Sequence, residues 1–137
     1  EAACAVLGNC EQESTFNPSV WQTLNDLDLG YGIVQWSPAT KFLQWAVDIG
    51  LIASVSAAII NTLAKSSVQK LMDAELTYFI FTAALSGDYF SGNSFETFKN
   101  STDSVTELAK TFVLTYEKTT SEIAKRQEYA QNWYEYF

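Results

Sequence analysis

Residues 1–18 read EAACAVLGNCEQESTFNP, and the fold turns on them. Ala2, Ala3, Cys4, Ala5, Val6 and Leu7 put apolar side chains on every side of a helix, and a helix that is apolar all round is a buried one. The segment then turns polar at Gly8, Asn9, Glu11, Gln12 and Glu13. Asn17-Pro18 stops it, because the residue before a proline is pushed out of the helical region. The pattern predicts a helix over residues 1–13 that starts in the core and brings its polar end to a cleft or the surface.

Further along, the helical period fails between Val20 and Trp36, and alternation around Asn25, Asp26, Asp28 and Gly30 predicts a small β-hairpin or irregular insert. Ser37-Pro38 reads as an N-cap followed by proline at the first helical position, with Phe42, Leu43, Trp45, Ala46 and Val47 carrying that helix to Gly50. Trp45 on this stripe reads as core. A short helix follows near Val55 to Lys65. Val68, Leu71, Met72, Leu76, Phe79, Ile80 and Ala83 then mark a long central helix that stops near Gly87. After an aromatic, glycine-containing loop over 87–93 comes a short helix around Phe95 to Phe98. The next helix, capped by Thr102 or Asp103, carries the stripe Val105, Leu108, Ala109, Phe112, Val113 and Tyr116. The last starts near Ser121 and is expected to bury Ile123, Ala130, Trp133, Tyr134 and Phe137. Without a repeat, low-complexity run or linker, residues 1–137 are expected to form a single, mainly α domain with one non-helical insert around 20–36.

The 137 residues include sixteen acidic and eight basic side chains and no histidine. Without imidazole there is no Ser-His-Asp or Cys-His nucleophile pair and no histidine-ligated zinc, so an enzyme built on this chain takes its acids and bases from carboxylates. No cofactor and no metal is implied. A net charge of −8 with no basic stripe argues against a nucleic-acid partner. The longest apolar stretch, Leu51 to Ile60, is interrupted by Ser54 and Ser56 and is too short to cross a hydrocarbon layer of about 30 Å, so membrane insertion is not expected. Cys4 and Cys10 sit on different faces of one helix, roughly 9 Å apart along its axis, and read as buried thiols. Nine Phe, seven Tyr and four Trp suit a dense helical core, a carbohydrate-lining surface, or both. Residue 1 is Glu and not Met, which suggests a domain excised from a longer protein or a processed product.

The sharpest local feature is the placing of the acids. Glu1, Glu11, Glu13, Asp26 and Asp28 all precede Lys41, the first basic residue. A carboxylate at the exit of a buried helix, among other carboxylates, is held toward its protonated form by desolvation and like charge, as a general acid requires. Glu13 is the best placed. The plainer reading is a solvated helix end.

Gly8-Asn9, then Glu13-Ser14-Thr15-Phe16-Asn17-Pro18, then Gly30-Tyr31-Gly32-Ile33-Val34-Gln35-Trp36 resembles the tail-associated lysozymes of phages that infect Gram-positive bacteria. More distantly it is similar to goose-type lysozymes and soluble lytic transglycosylases, where a Glu-Ser pair precedes a Gly-x-x-Gln segment. Near the C-terminus Phe112 to Glu117, with Arg126, Ala130 and Trp133, is similar to the closing helices of the phage enzymes. Residues 50–100 match little. The resemblance implies an α+β lysozyme-like fold and makes Glu13 the acid that protonates the β-1,4 glycosidic oxygen between N-acetylmuramic acid and N-acetylglucosamine. It places Gln35 beside the reacting sugar.

Other assignments are weighed against plainer ones. Asp26 and Asp28, the only carboxylates of the insert, are candidates for the second catalytic group if they share one face of a strand; otherwise they are solvated turn residues. Trp21, Tyr31 and Trp36 lie where packing demand is lower than on a helix, and sugar contact is expected of them. Tyr116 is either core or faces the acid. Glu117 is a surface residue or a cleft one. Arg126, the only arginine, either pairs with Glu122 on the surface or clamps Glu117. The resemblance implies a muramidase acting on peptidoglycan strands, in a virion tail or another wall-spanning apparatus and beside other domains. The alternatives are a lytic transglycosylase giving 1,6-anhydro products and a non-catalytic glycan-binding tail domain. An acidic chain is repelled by an anionic wall, so delivery must come from what carries it.

Overall fold

A computed structural model describes residues 1–85 and 94–137, apart from the side chains of 83–85, and is mainly helical. The helices are α1 (Ala2–Ser14), α2 (Thr40–Asp48), α3 (Ala57–Ser66), α4 (Val68–Leu85), α5 (Phe95–Lys99), α6 (Val105–Thr115) and α7 (Ile123–Tyr136). They gather into two compact units, one of Glu1–Thr15 with Ile80–Phe137 and one of Phe16–Phe79. The loop expected over 87–93 lies outside the described residues.

In the first unit α1 packs on α6 and α7. Cys4, Ala5, Asn9 and Cys10 are buried, and both cysteines are free thiols. Gly8 sets how close α7 comes: a Cβ there would stand 2.4 Å from the Ala130 nitrogen and 2.7 Å from the Arg126 carbonyl oxygen. Only a residue without a side chain allows that crossing. Helix α6 buries Val105, Leu108, Ala109, Phe112 and Val113, the predicted stripe. Its N-cap is Ser104, not Thr102 or Asp103; the Ser104 hydroxyl accepts the Glu107 N–H at 3.3 Å. On α7 the expected core also shifts. Ala130 and Arg126 are the buried residues, whereas Tyr134 and Phe137 are 46% and 80% exposed.

The second unit holds the insert. There are no extended strands in it, only two isolated bridges, Trp21 to Tyr31 and Tyr31 to Trp36. Tyr31 is the hub, and its ring lies in an aromatic cluster: Trp21 at 4.5 Å, Phe42 at 6.1 Å, then Trp36 on Phe42 at 5.4 Å and Tyr78 on Trp36 at 5.0 Å. Trp45, half-buried, joins it through Tyr78. Helix α2 begins at Thr40, later than Ser37-Pro38 suggests, because the N–H groups of Ala39 and Thr40 are donated back to the Leu29 and Leu27 carbonyls. In α4 the buried stripe is Leu71, Ala74, Glu75, Tyr78, Phe79 and Thr82, while Val68, Leu76 and Ile80 are exposed. The stripe is rotated from the expected one because apolar residues surround this helix, and a carboxylate occupies a core position that periodicity reserves for a hydrophobe.

Candidate functional site

Glu13 lies in the last turn of α1, which ends as Thr15 turns left-handed (φ 50°) and donates its N–H to the Glu11 carbonyl at 3.0 Å. Ser14 is buried and its hydroxyl donates to the Cys10 carbonyl at 3.0 Å. This end of α1 meets Arg126, which α7 delivers over the Gly8 crossing. The guanidinium is 3% exposed, and every contact it makes ties two parts of the unit together. Its Nη2 donates to Glu13 Oε1, and its Nη1 donates to Glu117 Oε2 at 2.6 Å and to Asn9 Oδ1 at 3.0 Å. Its Nε donates to the Ser121 carbonyl at 3.0 Å, holding the turn between α6 and α7. Asn9, fully buried, donates in turn to the Ala5 and Ala109 carbonyls at 2.9 and 3.1 Å.

Of the two expectations for Arg126, the clamp on Glu117 is what forms, and it extends to Glu13; a surface pair with Glu122 does not. Glu117 is accordingly not a surface residue. Its side chain is 5% exposed, against 20% for Glu13. Burial pushes the Glu117 carboxyl well above the ordinary carboxylate range, and the Glu13 charge adds to this while Arg126 opposes it. Glu117 Oε1 is buried without a hydrogen-bond partner among the described residues. Two carboxylates therefore share one buried cation, and the more buried of them favours the protonated form.

The insert side chains divide. Trp21 is half-buried, and its indole N–H donates to Asn61 Oδ1 at 2.8 Å. Tyr31 and Trp36 are 0% and 4% exposed, so the expectation that insert aromatics face sugar fits Trp21 and not these two. The insert curls around its own rings, and packing demand there is as high as on a helix. Gln35, left-handed at φ 52°, turns its amide inward and donates to the Val20 and Gly32 carbonyls at 3.1 and 2.9 Å, bracing the insert. Asp26 and Asp28 are not on a strand face. The Asp26 carboxylate accepts the Asp28 N–H at 3.0 Å, as aspartates do in tight turns, and Asp28 is exposed. Tyr116 is 4% exposed and stacks on Phe112 at 4.9 Å, its hydroxyl 2.8 Å from the Thr82 hydroxyl.

Sequence reasoning passes over Glu75. It is fully buried in the second unit, where its Oε2 accepts the Ile33 N–H at 2.8 Å and its carboxyl fills the space a Cβ on Gly32 would take. Burial pushes it well above the ordinary carboxylate value, the Ile33 hydrogen bond opposing. Burial, with the Glu75 charge second, also raises the Tyr31 hydroxyl. The available signal is a lone acid four residues from both Leu71 and Phe79 on a helix face. Among the described residues no group of three or more Cys, Asp or Glu is placed to hold a metal, and no helix is long and apolar enough to cross a membrane.

A helical protein with a glutamate at the end of its first helix, clamped to a buried carboxyl by one arginine, has the makings of carboxylate acid chemistry. The chain belongs to the phage tail lysozyme family, whose model matches residues 1–137 and so covers both units. Among curated proteins it is 35% identical over 121 residues to Morphogenesis protein 1 of Bacillus phage B103. The aligned segment is 85% of this chain and 29% of that relative, so the chain spans about three tenths of the relative's length.

Proposed function

We propose that this chain is a muramidase that hydrolyses the β-1,4 bond between N-acetylmuramic acid and N-acetylglucosamine, with Glu13 as general acid. The observation that carries the reading is the Glu13–Arg126–Glu117 arrangement. A glutamate beside an arginine alone is a poor proton donor, because the cation favours its charged form. Here a second carboxyl, driven toward protonation by burial, lies close enough to Glu13 for the two to interact. Glu117, which favours its protonated form, stores the proton, and the more exposed Glu13 hands it to the leaving oxygen. Arg126 positions both and compensates the charge left behind. Residues 1–137 act as one lysozyme domain, carried with further domains in a virion tail and applied to the bacterial wall from outside. If the reaction uses a second carboxylate, Asp26 and Asp28 are the candidates from the insert, and Trp21 is the aromatic there with a surface open to sugar.

Glu13→Gln keeps the shape and removes the donor, and is expected to slow clearing of a Gram-positive wall suspension by about 10²-fold or more. Unchanged clearing by a folded Glu13→Gln variant overturns the assignment. Mass spectrometry of the released muropeptides is expected to show reducing ends; anhydro ends would replace hydrolysis by transglycosylation.

A further inference from the structure

The second unit carries a groove of about 420 Å³ bounded by Trp21, Leu24, Asn25, Asn61 and Lys65. We propose that it binds the peptide-bearing muramyl unit of peptidoglycan, taking the sugar on Trp21 and a stem-peptide carboxylate on Lys65. The proposal rests on the substrate class given above and names a subsite for it.

Asn61 and Lys65 are four apart on α3 and therefore share a face, with the small Ala64 beside them leaving room. The Trp21 indole N–H donates to Asn61 Oδ1 at 2.8 Å, and Asn61 Nδ2 donates to Asn25 Oδ1 at 2.7 Å. Asn25, held left-handed at φ 62°, thus accepts through its oxygen and leaves its amide N–H groups unused among the described residues. These hydrogen bonds fix the indole, one side of which is against Tyr31. Leu24 is 75% exposed at the rim. In a chain with twice as many acids as bases, no carboxylate lines this groove, and Lys65 forms no ion pair among the described residues. The neighbouring Asp26 carboxylate is engaged by its own turn. A fixed indole, a rim leucine, a free amide donor and an unpaired ammonium match, respectively, a sugar face, a methyl group, an amide carbonyl and a carboxylate. A plain glucosamine polymer supplies no partner for the lysine. Lys65 also lies in the last turn of α3, where a cation meets the helix dipole, but that role is indifferent to ligand.

The test is an NMR titration of the full chain, carried out in the Glu13→Gln background so that ligand is not consumed. N-acetylmuramoyl dipeptide is expected to shift the Trp21 indole and the Asn25 and Asn61 side-chain amide signals. Adding Lys65→Gln should weaken this binding about tenfold. Amidating the dipeptide carboxyl should weaken binding equally where Lys65 is intact, and leave the Lys65→Gln variant no weaker than before. Chitotriose binding the same signals as tightly, or a lysine effect that survives amidation, overturns the proposal, as does the absence of shifts. If these signals respond while the wild type cleaves no glycan, the subsite stands and the muramidase reading falls; the opposite pattern separates them the other way.

Discussion

Glu75→Gln should change how stability depends on pH in a way no other single substitution in the second unit would. In the folded chain the Glu75 carboxyl is fully buried and raised well above its ordinary value of 4.5, so the folded state holds a proton that the unfolded state releases. For such a group the stabilisation is complete below the unfolded value and is lost as pH rises toward the folded one. Each pH unit in that window removes about 1.4 kcal/mol. Glutamine keeps the oxygen that accepts the Ile33 N–H and the shape that fills the space over Gly32, but it does not titrate. Its amide N–H groups replace the carboxyl oxygen that has no partner, so the variant is expected to be equal or weaker near pH 4. The Glu75→Gln variant should then gain on the wild type by about 1.4 kcal/mol per unit above pH 4.5, on the order of 5 °C in melting temperature. Urea unfolding at half-unit steps from pH 4 to 8, read as the difference between the two chains, measures this. Taking the difference cancels Glu117, which shifts in the same direction. A flat difference over that range would refute the argument that burial holds Glu75 protonated.

Gly8→Ala places a methyl carbon 2.4 Å from the Ala130 nitrogen and must separate α1 from α7. A loss of about 1–3 kcal/mol or more in urea unfolding is expected, with lytic activity falling further as Arg126 is displaced; wild-type values of both would show that the helices do not cross so closely. Glu117→Gln removes a raised buried carboxyl, so the fold should be retained, with stability at neutral pH maintained or increased. If Glu117 stores the proton that Glu13 delivers, activity should fall and the alkaline limb of its pH profile should move to lower pH, whereas an unchanged profile would leave Glu117 with a structural role only.

What can be read from the sequence follows from how strongly each signal is tied to one physical cause. The apolar face of α6 lies where its spacing puts it, whereas the all-apolar start of α1 is covered on one side only, with Cys4, Ala5 and Gly8 buried and Ala3 exposed. The place of Glu13 at that helix's end is legible too. The Glu13–Glu117 link is not, because it is made through Arg126, a residue whose helical neighbour four positions back, Glu122, suggests an ordinary surface pair. Helix spacing identifies neighbours on one helix and is silent on those brought together by a crossing. Tyr31 and Trp36 read as open only if irregular backbone is equated with loose packing, whereas here it wraps a ring cluster. The α4 face is misplaced for a related reason: its buried side includes Glu75, and hydrophobicity alone steers that residue outward.

The contact between Arg126 and Glu13 closes 113 residues of chain. At about 5–20 residues per second, a ribosome takes roughly 6–23 s to travel that far. Through most of that interval α1 exists as an apolar segment with two thiols and neither α6 nor α7 to cover it, so it needs shielding. The pairing of Glu13 with its arginine correspondingly waits until α7 has been made. A product halted before α7 lacks that arginine along with part of the cover over its first helix, and is expected to be both inert and prone to aggregate.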